Sequence, residues 1–230
     1  MFKRFSLTLE GNQHNVKVTK RKNCKQIILK FNFKCKEPVV SIPYSLPYQA
    51  GLDFLKKNFD WVKKQANNYH NLQFQELQHV SLLGESYYIE KINSIKPKVE
   101  ILHNPKQVLC FYKDHNSIHS QIVKALRQQA RSHLTALAYQ KAQLLGVNIK
   151  KIAIRDTISR WGSCSSKGNL NFSFRIIMAP AFVSDYIVSH EVAHLVEFNH
   201  SKNFWVLVDS LTPYRTRAEE WLLKHKYTLY

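Results

Sequence analysis

Alternation of apolar and polar residues dominates the first 115 positions and predicts a β-rich region. Val16 and Val18, for example, flank Lys17, as in a strand with one buried face. Similar patterns predict further strands near residues 27–33, 39–43, 80–83, 87–92, 99–102 and 108–112. In the middle of this region, apolar residues recur every three or four positions from Leu52 to Ala66, which predicts one helix.

The period changes near residue 116, where helical spacing replaces alternation. Apolar residues from Ile118 to Leu144 predict a long helix that stops at Gly146. Two strands are predicted at 152–155 and 169–177. A helix is predicted from Pro180 to about Glu197, and Ser201 is expected to cap the next one. The pattern therefore predicts an α+β fold with a basic β-rich region at 1–115 and an α+β domain at 116–230.

Composition is that of a packed globular protein. Apolar residues make up 44% of the 230 positions and aromatic residues 12%. No apolar run approaches the length of a membrane span, and the N-terminus becomes polar at Glu10 before a signal-peptide core could form. The four cysteines lack any C-x-x-C pair, which favours free thiols. We therefore expect a soluble, cytoplasmic protein without membrane partners.

The formal charge of +18 changes the expected partners. Such a positive field attracts anionic substrates and polyanions, nucleic acid among them. A solvated basic surface without a partner produces the same composition. The charge therefore allows nucleic acid as a partner without identifying it.

The most informative motif is His190-Glu191-Val192-Ala193-His194, within the predicted helix. Residues four apart project from the same side of a helix, so both imidazoles can reach one metal ion. Glu191 lies beside this pair, where a carboxylate can take a proton from a water molecule as general base. The motif predicts a metal-dependent hydrolase.

A third ligand is required while one position stays open for water. His200 lies six residues after His194, and a turn at Phe198-Asn199 would bring it back to the metal. Three imidazoles favour Zn²⁺, although nickel, cobalt and iron accept the same ligands. Glu219 or Glu220 from a downstream helix is the alternative third ligand.

Candidate substrate-binding residues lie on both sides of the motif. Arg160 and Arg155 are candidates to hold an anionic group or to stabilise an oxyanion. Tyr214 is a candidate hydrogen-bond donor to the same oxyanion. Trp161 and Gly162 fit a packed ring and a tight turn at least as well as a functional role. A strand edge in this region would allow an extended substrate to pair with it.

Several segments together resemble the YgjP-like zinc metallopeptidase family, which is related to the WLM and SprT-like proteins. The segments are 159–164, 171–175, 179–180, 185–186, 190–194 and 199–205. The resemblance implies a zincin-like, minimal gluzincin-type helix pair on a small sheet, with zinc on His190, His194 and His200. One departure is Phe172, where the family pattern leads us to expect Trp.

The leading functional hypothesis is a zinc metallopeptidase in which Glu191 activates water. A second hypothesis is a phosphoanhydride hydrolase acting on nucleotides or another anionic small molecule, because arginines accompany the motif. A third is a nucleic-acid-associated protease similar to SprT-like proteins, and a fourth is a binding module with structural zinc only. Assays on peptides and on nucleotides separate the first two hypotheses.

Overall fold

The computed structural model describes residues 2–32, 35, 37–67, 74, 76–157 and 160–225. The chain forms two compact units, Met1–His70 and Asn71–Tyr230. This division lies upstream of the boundary at 115 that the sequence pattern suggests. The reason is that residues of 80–110 and of the C-terminal helices share one hydrophobic core.

The first unit is a four-stranded sheet followed by two helices. Its elements are β1 (Phe2–Leu9), β2 (Asn12–Arg21), β3 (Ile28–Asn32), β4 (Glu37–Pro43), α1 (Tyr48–Lys57) and α2 (Phe59–Asn67). The strand order is β1-β2-β4-β3, with β2 and β4 parallel. The single helix predicted here is interrupted at Asn58, whose side-chain amide donates to the Phe54 carbonyl at 2.8 Å.

Helices cover one face of this sheet. Val16 and Val18 of β2 are fully buried in a core that also contains Leu55 of α1 and Val62 of α2. Since side chains alternate across a strand, Lys17 points to the opposite face. Arg4 and Lys17 are opposite each other in the β1–β2 ladder. Val39 of β4 is the ladder partner of Lys17 on one side and of Lys30 on the other. Arg4, Lys17 and Lys30 thus form a basic row across the sheet.

The second unit contains two sheets and four helices among its described residues. Its strands are β5 (His79–Leu82), β6 (Glu85–Asn93), β7 (Lys98–His103), β8 (Lys106–Tyr112), β9 (Lys151–Arg155), β10 (Gly162–Cys164) and β11 (Asn169–Ser173). Its helices are α3 (Ile118–Leu144), α4 (Ala181–Ala193), α5 (Lys202–Leu211) and α6 (Arg215–His225). The four strands predicted between 80 and 112 are confirmed, and so is the α+β class.

The two four-stranded sheets have the same topology. The order β5-β6-β8-β7 repeats β1-β2-β4-β3, and in each sheet the second and fourth strands run parallel. Both begin with a hairpin whose two-residue turn has positive φ at each residue: Glu10-Gly11 in the first and Leu83-Gly84 in the second. Such turns match the twist of antiparallel strands. No repeat is visible in the amino-acid pattern.

The Leu83-Gly84 turn contacts the start of α4. The Leu83 amide donates to the Ile177 carbonyl at 2.7 Å, and the Ala181 amide donates to the Leu83 carbonyl at 3.3 Å. A Cβ on Gly84 would lie 3.1 Å from Cα of Pro180. The hairpin therefore holds the N-terminal end of the helix that carries the histidine motif.

The small sheet has the order β10-β11-β9, so β10 forms one edge. The strand predicted at 169–177 ends at Ser173, and a short 3₁₀ helix, Phe174–Met178, follows it. β10 itself is only three residues long, where the sequence favoured a tight turn.

Two further sequence-based expectations concern the cysteines and membrane-spanning helices. All four cysteines are free thiols, as predicted. None of the described helices combines the length and apolar character that crossing a bilayer demands.

Candidate metal centre and active site

Three histidines converge at the C-terminal end of α4. His190 lies in the last turn of the helix, His194 is its C-terminal cap, and His200 follows in an exposed connection to α5. One ligand atom from each side chain lies within 4.8 Å of the other two. The Nε2 atoms of His190 and His200 are 3.2 Å apart.

The helix ends earlier than predicted, and this brings His200 to the group. α4 stops at Ala193 instead of near Glu197, and residues 194–196 form a turn. The Nδ1–H of His194 donates to the Glu197 carbonyl at 3.0 Å. This bond fixes the tautomer and leaves Nε2 of His194 free as a ligand.

The Phe204 ring packs against all three histidine rings. Phe204 of α5 is fully buried, and its ring centroid lies 4.9, 4.4 and 4.7 Å from those of His190, His194 and His200. Ser201 caps α5 as predicted, since its hydroxyl accepts from the Phe204 amide at 3.4 Å. The cap and the buried ring together position α5 against the histidines.

The charge state of His190 and His194 suits metal binding. Burial, with the neighbouring His194 and His200, lowers the pKa of His190 to about 4. Burial also lowers the pKa of His194. Neutral imidazoles are the form that coordinates a metal ion.

The spacing of the ligand atoms is a second test of the site. Two ligands 2.0–2.1 Å from one ion lie at most about 4.2 Å apart, and the 3.2 Å separation of His190 and His200 fits this limit. The donor types and the spacing of this pair therefore fit a metal ion held by imidazoles.

Glu191 is buried beside the triad, with only 7% of its surface exposed. The backbone N–H of Cys164 donates to its carboxylate, and the Arg160 guanidinium lies near enough to attract it. Burial outweighs both effects and raises the pKa of Glu191 to about 7. A carboxyl group with a pKa near neutral pH is suited to general acid–base chemistry.

Gly162 of β10 provides the space that Glu191 occupies. A Cβ at this position would lie 2.5 Å from Oε1 and 2.6 Å from Cγ of Glu191. Any side chain at 162 would therefore collide with the carboxylate. Glycine within a strand often marks a close approach of another group, and Gly162 is the one signal for this contact that the sequence contains.

A cavity of about 290 Å³ adjoins His190 and Glu191. Its other lining residues come from the β10 segment, from α4 and from α6: Arg160, Trp161, Gly162, Tyr186, Ile187 and Leu222. Of the predicted substrate-binding residues, the structure brings Arg160 to this cavity. The roles of Tyr186, Ile187 and Leu222 as its lining were missed, because they depend on how α6 packs against α4.

Arg155 and Tyr214 lie elsewhere. Arg155 ends β9, two strands from β10 in the small sheet, which corresponds to about 9–10 Å. The Tyr214 ring faces Phe182, with centroids 6.4 Å apart, at the opposite end of α4 from His194. Neither side chain lines the cavity. Ser159, which contributes to the family resemblance, lies outside the described residues.

The glutamates considered as alternative ligands are also outside the histidine group. The Glu219 carboxylate accepts from the Tyr186 hydroxyl at 2.8 Å and lies 3.7 Å from the Arg215 guanidinium. Glu220 is exposed on α6. Among the described residues, the cluster able to hold a metal contains the three histidines only.

Asp185, five residues before His190, contributes to the support of α4. Its carboxylate lies 2.8 Å from the Lys141 ammonium of α3, and Lys141 also donates to the Leu211 carbonyl at the end of α5. Lys141 is buried. This ion pair joins three helices around the candidate site.

Comparison with known proteins adds one finding. A family model described as YgjP-like, metallopeptidase domain, matches residues 25–225. No curated protein and no solved structure gave a significant match.

Proposed function

The chain belongs to the YgjP-like metallopeptidase family, and we propose that it is a zinc-dependent peptidase with Glu191 as its general base. The observation that carries the proposal is the convergence of three imidazoles beside one buried carboxylate. His190, His194 and His200 are the proposed zinc ligands. A zinc ion held by three imidazoles supplies Lewis acidity and an open position for water when bound.

Glu191 is proposed to accept a proton from the attacking water and to return it to the leaving amine. The Cys164 N–H holds the carboxylate from the β10 side, and Gly162 leaves it the space to stay there. Orientation of the base by neighbouring groups is the usual requirement for efficient proton transfer. Burial excludes bulk water that would compete for the same proton.

The edge of the small sheet supports a peptide as substrate. The Trp161 carbonyl accepts from the Ser173 amide of the adjacent strand at 2.8 Å. Because backbone groups alternate in direction along a strand, those of Gly162 point away from β11. An extended peptide can hydrogen-bond to these groups as an added strand, and this would place its backbone next to Glu191.

Metal analysis tests the proposal. Purified wild-type protein is expected to contain close to one zinc per chain, measured by mass spectrometry of the metal. His200→Ala is expected to contain far less, because two imidazoles and water bind zinc more weakly than three imidazoles. Full zinc occupancy in His200→Ala would contradict the ligand set and point to Glu219 or Glu220. A wild-type protein that binds no metal even after reconstitution would contradict the hydrolase itself.

The phosphoanhydride hypothesis receives less support from the positions of the arginines. Arg175 bonds Asp156 through its Nε at 2.9 Å, and Arg155 lies two strands from β10. Arg160 is thus the arginine that lines the cavity. Turnover of a panel of nucleoside triphosphates is compared with turnover of unfolded protein, each by the wild type and by Glu191→Gln. The substrate whose hydrolysis depends on Glu191 shows whether the enzyme cleaves a phosphoanhydride or a peptide bond.

The basic row of the first unit is the proposed binding surface for a polyanion partner. Residues 1–70 contain fourteen Lys and Arg and four Asp and Glu, a net charge of +10. Arg4, Lys17 and Lys30 align across the face that α1 and α2 leave uncovered, where Arg4 also lies 3.7 Å from the Glu37 carboxylate. The ammonium of Lys17 lies 4.4 Å from the exposed Phe2 ring, and an exposed ring beside cations can stack on a base. We propose single-stranded nucleic acid as the partner.

Charge reversal tests this surface. The double substitution Lys17→Glu and Lys30→Glu is expected to weaken binding to a labelled single-stranded oligonucleotide by at least 10-fold and to reduce its salt dependence. Fluorescence anisotropy at several salt concentrations measures both. The control is Lys56→Glu with Lys57→Glu on α1, which changes the net charge equally. Equal weakening by both pairs would contradict a defined surface.

A further inference from the structure

The cavity beside Glu191 has a composition that restricts which substrates fit it. His190 and Glu191 form part of its lining, so a group bound there lies next to the carboxylate that is proposed to accept a proton from water. Tyr186 and His190 are one helical turn apart on α4, and the cavity therefore follows the same helix face as the metal ligands. The inference below rests on the proposed peptidase function.

Apolar side chains make up most of the wall. Ile187 and Tyr186 of α4 are buried, Trp161 lies on the β10 side, and Leu222 lines the cavity from α6. The Tyr186 hydroxyl donates to Glu219 at 2.8 Å. Burial, and to a smaller extent this hydrogen bond, raises the pKa of Tyr186 far above its usual value. Since its hydroxyl is engaged, the phenol contributes its ring to the cavity.

The volume of the cavity matches a small group. At about 290 Å³, it lies at the lower end of the range for cavities that enclose a whole ligand. One substrate residue with a large apolar side chain satisfies both the volume and the lining.

Arg160 adds a positive charge to this apolar cavity. Its side chain is exposed, and no carboxylate in the described part of the chain forms an ion pair with it. Its charge reaches Glu191, the carboxylate already assigned to proton transfer. An arginine beside an apolar cavity is well suited to bind a carboxylate of the occupant through two hydrogen bonds.

We infer that this cavity binds the C-terminal residue of a peptide, with a large apolar side chain against Trp161, Tyr186 and Leu222 and the free α-carboxylate on Arg160. The protein would then act as a carboxypeptidase that releases apolar C-terminal residues. A peptide whose C-terminus is amidated lacks the charge that Arg160 recognises. A peptide ending in alanine lacks the apolar contacts.

Binding of small probes tests the cavity without turnover. The probes are 3-phenylpropanoate, its amide, which lacks the charge, and propanoate, which lacks the ring. Isothermal titration of the zinc-loaded wild-type protein is expected to give a Kd for 3-phenylpropanoate at least 10-fold lower than for either analogue. Arg160→Gln should remove the preference for the acid over the amide, whereas Arg131→Gln on the exposed surface of α3 should retain it.

A matched pair on α6 tests the apolar wall. Leu222→Ala is expected to reduce the preference for the phenyl probe over propanoate at least 10-fold. Leu223→Ala, at the adjacent position that is 82% exposed, should leave it unchanged. Equal affinities for the three probes, or a preference that survives both Arg160→Gln and Leu222→Ala, would overturn the inference.

Turnover separates this inference from the proposed function. Blocked dipeptides ending in phenylalanine, with a free or an amidated C-terminus, are compared with a longer peptide blocked at both ends. Glu191-dependent cleavage of the free-acid dipeptide in strong preference to the other two supports both. Cleavage of the blocked peptide with equal efficiency overturns the inference and retains the peptidase. Glu191-dependent hydrolysis of nucleoside triphosphates alone overturns both.

Discussion

Replacing Glu191 by glutamine should reduce kcat for peptide cleavage by about 10²–10⁴-fold, the usual contribution of a positioned general base. Glutamine has nearly the same shape but cannot accept the proton. The candidate metal cluster consists of three histidines and does not include Glu191. The zinc content of Glu191→Gln should therefore stay close to the wild-type value. The measurement is kcat by single-substrate kinetics together with metal analysis of the same sample.

Glu220→Gln is the matched control for this substitution. Glu220 is exposed on α6 and was the alternative metal ligand in the sequence-based prediction. We expect its kcat and its zinc content to equal those of the wild type. Among the described residues, Glu191 is the one carboxylate that lines the cavity, so no neighbouring carboxylate could replace it as the base. Full activity in Glu191→Gln would therefore reject the proposed mechanism.

Gly162→Ala should reduce kcat by about 10²-fold, although residue 162 has no functional group. The added Cβ would lie 2.5 Å from Oε1 of Glu191, far inside van der Waals contact. Burial leaves the carboxylate little room to move, so it must leave the Cys164 N–H that holds it. A displacement of about 1 Å from the productive geometry costs a loss of this size. Kinetics and metal analysis should show low kcat with zinc retained.

Ser163→Ala, the next residue of β10, serves as the control. Its hydroxyl accepts from the Asn171 amide at 3.2 Å, on the side of the adjacent strand, so its loss should leave kcat within a few-fold of the wild type. Thermal unfolding of both variants identifies any loss of fold. A Gly162→Ala protein that is folded and fully active would show that Glu191 does not need its present position.

The candidate metal ligands were the most predictable part of the site. The four-residue spacing of His190 and His194 fixes their common direction wherever a helix forms, and apolar residues around them predict that helix. His200 was predictable because a turn was expected soon after His194. The position of that turn was not, since α4 stops at Ala193, where the apolar pattern alone would continue it.

Candidate substrate-binding residues were harder to predict because they depend on packing between distant elements. Arg155 and Arg160 are five residues apart and equally basic, and only the order of the small sheet separates them. The three residues of β10 are too few to show alternation. The contact of Gly162 with Glu191 follows from the packing of that strand against α4, which no local pattern records.

The matching topology of the two large sheets was likewise invisible in the sequence. Their strands were largely predicted, yet the pairing of β2 with β4 and of β6 with β8 joins segments that are not consecutive. Hydrophobic alternation specifies which face of a strand is buried and leaves its neighbour open. Glu10-Gly11 and Leu83-Gly84 have little in common except glycine as the second residue.

The Leu83-Gly84 turn determines how short a catalytic fragment can be. A chain begun at residue 116 would keep every proposed zinc ligand but would lose the partner of the Ile177 carbonyl and of the Ala181 amide. It would also uncover the apolar residues of α3 and of the 3₁₀ helix that pack with Val80, Leu82 and Val108 in one core. The histidine motif is therefore not a transplantable module, and a minimal active fragment has to begin upstream of β5.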